Sequence, residues 1–213
     1  MLPGPARIFR CPYCNGEKEL MSLISGNTFG MDLWSDTRRF YPMFPELSSI
    51  QQCPCCHKYY FLEDAKLLER QETSFGGVTG QLDFSQLKEA KDQFSKSVLP
   101  ENRIWTIHYM LLLAYNDTFF RFPEAERLPS EEDRLLVRET IRTLIGIVQD
   151  SPDQTLFHAE LLRESGRFEE ALQVLDNYSA KDDEIDIVNA MKKHIADKDS
   201  KPFLLVEDGV NVI

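Results

Sequence analysis

The residues of this sequence whose type and spacing can do chemistry are its five cysteines. Cys11 and Cys14 stand in Cys-Pro-Tyr-Cys, and Cys53, Cys55 and Cys56 stand in Cys-Pro-Cys-Cys. Thiols at this spacing have two uses. One pair can cycle between dithiol and disulfide, with the first thiolate attacking a substrate disulfide. Two pairs can instead aim four thiolates at one metal ion. The shared spelling Cys-Pro-x-Cys sets the register, so that Cys53 corresponds to Cys11 and Cys56 to Cys14. Cys55 then takes the free position that Tyr13 takes in the first pair, and neither Cys55 nor His57 belongs to the ligand set that this register selects.

Four sulfurs converge only if the backbone around each pair is held rigidly. The runs ARIFR and SSIQQ precede the two pairs and KYYFL follows the second, all of them suited to strands. Two strand-flanked knuckles would complete a tetrahedral thiolate shell. In this arrangement residues 6 to about 62 resemble the zinc-ribbon family. The resemblance implies one structural Zn2+ held by Cys11, Cys14, Cys53 and Cys56, with no open position for water or substrate. The family often places glycine directly after the second cysteine of a knuckle, whereas this chain has Asn15-Gly16 and His57-Lys58. CPYC after a strand also resembles the glutaredoxin active site, which implies a thiol-disulfide oxidoreductase using Cys11 and Cys14. That likeness covers about nine residues. No Thr-Val-Pro segment follows to bring a cis-proline beside the dithiol, and a second Cys-x-x-C in the same register is foreign to it.

The chain has 213 residues, 42% of them apolar and 28% charged, a composition of globular proteins and not of disordered or fibrous ones. MLPGPARIFRC has no apolar stretch behind its basic residues, so no secretory signal is read, and the aliphatic run from Tyr109 to Tyr115 is too short to cross a bilayer. Cytoplasmic localisation is the expectation, and reduced thiols there favour a metal over disulfides. Residues 1 to 66 balance their charges, leaving the whole formal net charge of -11 to the rest. Such a surface repels a phosphate backbone, which makes nucleic acid an unfavourable partner and a protein the expected one, with a basic surface favoured by the same charge.

The expected organisation is α+β: a zinc-ribbon domain with short antiparallel strands over residues 1–66, a linker over 67–82, and an all-α bundle over 83–198. A tail over 199–213 has an Asp-Gly turn between β-branched runs, read as a hairpin or as a strand that pairs elsewhere. Asp83 with Gln86 and Ser130 with Asp133 mark helix starts, and Gly166 marks a left-handed helix end. FHAELLRESGRFEEALQVLDN resembles a tetratricopeptide repeat, with Ala159 and Ala171 at the small positions where two helices approach and Gly166 and Phe168 at the turn. Only one such repeat is clear, so a compact bundle is expected in place of a solenoid.

His108, His158 and His194 lie in helical segments without partner motifs and are read as structural. No phosphate-binding glycine loop or hydrolase motif is present in the sequence. Between the knuckles, Trp34, Arg38, Arg39 and Phe40 form an aromatic and arginine segment. It is either a partner-binding surface or a set of rings that cover the metal site or dock on the helical half. The expected function is a non-catalytic adaptor mediating protein–protein interaction. The alternatives are a nucleic-acid-binding ribbon using Arg10, Arg38, Arg39 and Lys58, and the oxidoreductase above.

Overall fold

The computed structural model describes residues 2–41, 43–44, 47–75, 79–122 and 128–212. The strands in chain order are β1 (Leu2–Arg10), β2 (Glu17–Ser25), β3 (Asp32–Trp34), β4 (Arg39–Phe40), β5 (Ile50–Gln52), β6 (Tyr59–Phe61) and β7 (Lys66–Phe75). Among the described residues six α-helices follow: α1 (Phe84–Phe94), α2 (Glu101–Asn116), α3 (Glu131–Val148), α4 (Thr155–Glu164), α5 (Phe168–Asp176) and α6 (Ile185–Ala196). β8 (Leu204–Glu207) and β9 (Val210–Asn211) close the described chain. The α+β class expected from the sequence is therefore observed. No described helix is long and apolar enough to cross a membrane.

The chain divides into two compact units, Met1–Gly30 with Tyr41–Leu99, and Met31–Phe40 with Pro100–Ile213. The first holds the antiparallel sheet β2-β1-β7 and the hairpin β5-β6. β1 is central although it carries Pro3 and Pro5, which cannot donate to a ladder. It tolerates them because its register slips there against both neighbours, and the Ser22 hydroxyl donates to the Pro5 carbonyl at 2.7 Å. Residues 67–75, expected at the start of a linker, belong to β7 instead, because their pairing partner β1 lies far away in sequence where periodicity cannot show it. Gly76 and Gly77, read as a loop, lie outside the described residues.

α1 belongs to the first unit and not to the helical one that the sequence assigned it to. Its start is the expected capping box of Asp83 and Gln86. The Gln93 amide accepts from the Tyr59 N–H at 2.9 Å and donates to the Tyr59 carbonyl at 2.7 Å, so one side chain occupies the free edge of β6 as a further strand would. Phe94 packs on Phe61 with ring centroids 4.8 Å apart, and the Tyr59 hydroxyl donates to Glu89 at 2.7 Å.

The second unit is helical with a small antiparallel sheet, β4-β3-β8-β9. The tail realises both expectations at once. Asp208 and Gly209, at φ 51° and 78°, make its turn, and β8 also pairs with β3. Ser130 and Asp133 cap α3, and Gly166 has φ 79° between α4 and α5. Ala159 and Ala171 are each 0% exposed where those two helices pack.

α2 ends in five residues of wider π-type turn, Asp117–Arg121, which turns Asp117 and Arg121 toward the β3–β4 turn. Arg121 donates to Asp117 Oδ1 at 2.7 Å and through Nη1 to Asp36 Oδ2 at 2.8 Å, with neither the Arg121 nor the Asp36 side chain exposed. Asn116 Nδ2 donates to Asp36 at 2.8 Å and to Glu164 at 3.1 Å. Arg163 is buried beside them, paired with Glu160 at 2.6 Å and donating to the Lys201 carbonyl at 2.8 Å. Burial, then the nearby carboxylates of Glu160 and Asp36, hold the Glu164 carboxyl well above its ordinary 4.5. A raised folded-state value means that the folded chain keeps a proton the unfolded chain releases. This contribution to stability is complete at acid pH and is lost as pH rises from about 4.5 through the folded value. Glu164→Gln is therefore expected to gain stability relative to the parent as denaturation is moved from roughly pH 5 to pH 8. An unchanged difference across that range would show that Glu164 ionises freely.

Candidate metal centre

Each knuckle is a tight turn closed by its own backbone. The Cys11 N–H donates to the Gly16 carbonyl at 2.9 Å and the Asn15 N–H to the Cys11 carbonyl at 3.0 Å. The second knuckle repeats this with Cys53 to Lys58 at 3.0 Å and His57 to Cys53 at 3.0 Å. Asn15 and His57 both have φ 59°. They stand at the left-handed position where the ribbon family often has glycine, and asparagine and histidine are among the residues that tolerate it. The departure from the family spelling thus leaves the turn intact, and His57 serves the backbone and is not among the clustered ligand atoms.

The sulfurs of Cys11, Cys14, Cys53 and Cys56 all lie within 4.8 Å of one another. Two close sulfur–sulfur separations cross between knuckles, Cys11 to Cys56 at 3.9 Å and Cys14 to Cys53 at 3.5 Å. A tetrahedron with metal–sulfur bonds of about 2.3 Å has edges of about 3.8 Å, so the donor set fits one thiophilic ion at its centre. Backbone N–H groups already point at the sulfurs, from Tyr13 to Cys11, Gly16 to Cys14 and Cys55 to Cys53, each at 3.4 Å. Tyr60 packs on Cys11 and Cys53 in the small core behind the site. Lys18, reaching the Gln52 carbonyl at 3.0 Å, stands close enough to Cys53 for its charge to be felt.

Four such close thiols do not ionise together unaided. Cys53 comes down to about 6: burial opposes its charge, but the Cys56 and Cys55 N–H groups and the neighbouring thiols favour it. Cys14 is pushed up to about 12, because Cys56, burial and Cys53 outweigh the Gly16 N–H that favours its thiolate. Burial raises Cys11 as well. A cation at the centre removes this conflict, and all four positions of its shell are then filled by protein.

Cys55 is exposed and absent from the clustered set, as the register argument expects. Its side chain lies over Gly16. A Cβ at Gly16 would stand 2.6 Å from Cys55 Sγ and 2.9 Å from Cys55 Cβ. Gly16→Ala is expected to weaken metal retention about tenfold in a chelator competition, the scale of a modest overpacking penalty, and Cys55→Gly in the same chain should restore it. Undiminished retention in Gly16→Ala would mean that the knuckles can move apart freely.

The segment between the knuckles is positioned in the second unit. Trp34 lies under the Arg121 guanidinium at 5.3 Å. Arg38 pairs with Asp117 at 3.2 Å and stacks on Phe40 at 4.7 Å, and Phe40 meets Phe122 edge-on at 5.1 Å. Arg39 is exposed. His108 faces Thr140 at 3.3 Å, and His194 pairs with Asp199 at 3.0 Å and stacks on Phe203. The set of buried Asp36, Asn116, Arg121, Glu160 and Arg163 with half-buried Glu164 is absent from the sequence expectations. Its one local signal is the Glu160–Arg163 spacing of three on the face that also carries Ala159 and Leu162. No family model, curated protein or solved structure matches this chain.

Proposed function

We propose that the chain is a non-catalytic zinc-binding adaptor, in which a structural Zn2+ fixes the knuckle unit and the helical unit offers a protein-binding surface. The observation that carries this reading is the four-sulfur cluster with spacing suited to a closed tetrahedral shell. A thiolate set of this geometry selects zinc among the common divalent ions, and a filled shell has no place for a substrate. The same cross-knuckle pairing argues against Cys11 and Cys14 as an isolated redox pair. The first unit reads as a zinc ribbon, and the α4–α5 hairpin, with two fully buried alanines at its crossing, reads as tetratricopeptide-like.

The nucleic-acid alternative loses support from the engagement of its cations, since Arg38 is held by Asp117 and Arg10 by Glu17. The exposed acids Glu169, Asp182, Asp183 and Asp186 on and beside α5 and α6 favour a basic protein segment. The test is capture of partners by the tagged full chain, followed by affinity measurement on the purified pair. Binding should weaken with added salt and fall about tenfold or more in Glu169→Lys with Asp186→Lys. Salt-sensitive binding to DNA or RNA that disappears in Arg38→Ala with Arg39→Ala would install the nucleic-acid reading instead.

A further inference from the structure

Cys55 is not an isolated thiol. A Cβ placed on Gly16 would stand 2.6 Å from the Cys55 sulfur and 3.2 Å from that of Cys14, so the two sulfurs flank the same point, less than about 6 Å apart. Both cysteines are exposed, whereas Cys11 and Cys53 are buried and Cys56 is partly covered. Four of the five thiols form the metal cluster, so Cys55 is the one left outside the shell. Gly16, lacking a Cβ, leaves nothing of its own side chain between the two exposed sulfurs.

We propose that Cys55 is a peroxide-sensitive thiol whose oxidation draws Cys14 out of the metal shell as a Cys14–Cys55 disulfide. The inference rests on the reading of the cluster as a metal centre. An exposed thiol outside the shell meets a dissolved oxidant before the ligands do, because their lone pairs are committed to the ion. In the first step the Cys55 thiolate attacks one oxygen of hydrogen peroxide, the O–O bond breaks, and hydroxide leaves a sulfenic acid. In the second step the Cys14 thiolate attacks the Cys55 sulfur, the S–O bond breaks, and a second hydroxide leaves. One hydroxide takes the proton that Cys55 gave up and the other takes a proton from solvent. Peroxide is reduced by two electrons to two waters, the two sulfurs are oxidised to a disulfide, and the ion keeps three protein ligands. Three-coordinate zinc takes up water and dissociates far more readily than a closed four-thiolate centre, so the modification loosens the metal.

The experiment starts from full chain reconstituted with zinc under reducing conditions and freed of reductant, with the zinc counted by elemental analysis. Stoichiometric hydrogen peroxide is added, released zinc is followed with a chromogenic chelator, and disulfides are mapped by mass spectrometry after alkylation. The parent should release zinc and yield the Cys14–Cys55 peptide pair, and Cys55→Ser and Cys55→Ala should each release it about tenfold more slowly. Reductant plus zinc should restore the parent centre. Equal release from parent and both variants, or a map dominated by Cys14–Cys53, overturns this inference while leaving the metal centre standing. Failure of the reduced chain to take up zinc at all brings down the metal reading and this inference with it.

Discussion

Replacing Cys56 by serine is expected to abolish stoichiometric metal binding and to unfold the knuckle unit, whereas Cys55→Ser, one residue away, keeps the metal. Only Cys56 belongs to the four-sulfur set. The core directly behind the site is small, Cys11, Cys53 and Tyr60 with Cys56 and Ala65 packed on it, and three of those five residues are themselves clustered cysteines, so the apolar packing that remains once the ion is gone, around Ile8, Leu20, Ile50 and Leu87, is not at the knuckles. Structural zinc in comparable small sites is worth about 10–16 kcal/mol, as much as the whole stability of an ordinary domain. A chelator should therefore reproduce the Cys56→Ser phenotype in the parent chain. The measurements are elemental analysis and hydrogen exchange across β1, β2, β5 and β6, which should lose protection together. Native-like protection in metal-free chain would show that the hairpin and α1 suffice to hold the knuckles. Metal retained in Cys56→Ser would transfer its role to another donor and overturn the Cys-Pro-x-Cys register.

The second large effect belongs to Asp36. Its Oδ1 accepts from the Arg38 N–H at 3.2 Å inside the β3–β4 turn, and its Oδ2 takes both Arg121 and Asn116. Asp36→Ala leaves the Arg121 guanidinium without exposure and without its main counter-charge. Breaking a buried pair on one side costs about 3–5 kcal/mol. For a unit of this size that is a fall of roughly 10 °C or more in Tm. Removing both charges, as Asp36→Leu with Arg121→Met, should recover most of the loss, because well-packed apolar residues often replace a buried pair at little cost. A double mutant no better than Asp36→Ala would place the value of this site in the Asx-type turn and not in the ion pair. Denaturation of the four chains of the cycle decides between them.

The clustering of Cys11, Cys14, Cys53 and Cys56 was legible because metal spacing is a local property of the chain, repeated here as Cys-Pro-x-Cys. Helix starts at Asp83 and Ser130, the left-handed Gly166 and the Asp208-Gly209 turn were legible for the same reason: a few adjacent residues satisfy the backbone groups concerned. The misplaced elements depend on partners far off in sequence. Nothing in KLLERQETSF announces β7, since its ladder belongs to β1. α1 carries an amphipathic pattern that says helix, but only the Gln93 amide on Tyr59 says which unit it joins. The WSDTRRF stretch was dense in aromatics and cations, yet its anchor is an aspartate whose partner, Arg121, stands on a turn of π type that propensity does not foresee. Burial of Arg163 at 0% runs against composition, and its partners are the Glu160 carboxylate one turn away and the carbonyls of Asp199 and Lys201 far along the chain.

The pairing of β3 with β8 has a bearing on how the protein is made. Ser35 and Phe203 exchange hydrogen bonds across a sequence separation of 168 residues. At ribosomal rates of about 5–20 residues per second, β3 emerges roughly 10 to 30 s before the strand that will flank it. The elements that frame the four cysteines are complete by Phe61, so a metal ion can close the knuckles early, leaving the β3–β4 pair of Met31–Phe40 without its β8 neighbour. Through the first part of that interval Trp34, Asp36 and Phe40 wait for Asn116, Arg121 and Phe122, and through the rest of it for the strand that pairs beside them. Nascent chains stalled shortly before Asn116 should therefore carry the metal while this segment is still open to protease, a window in which a chaperone would find this protein.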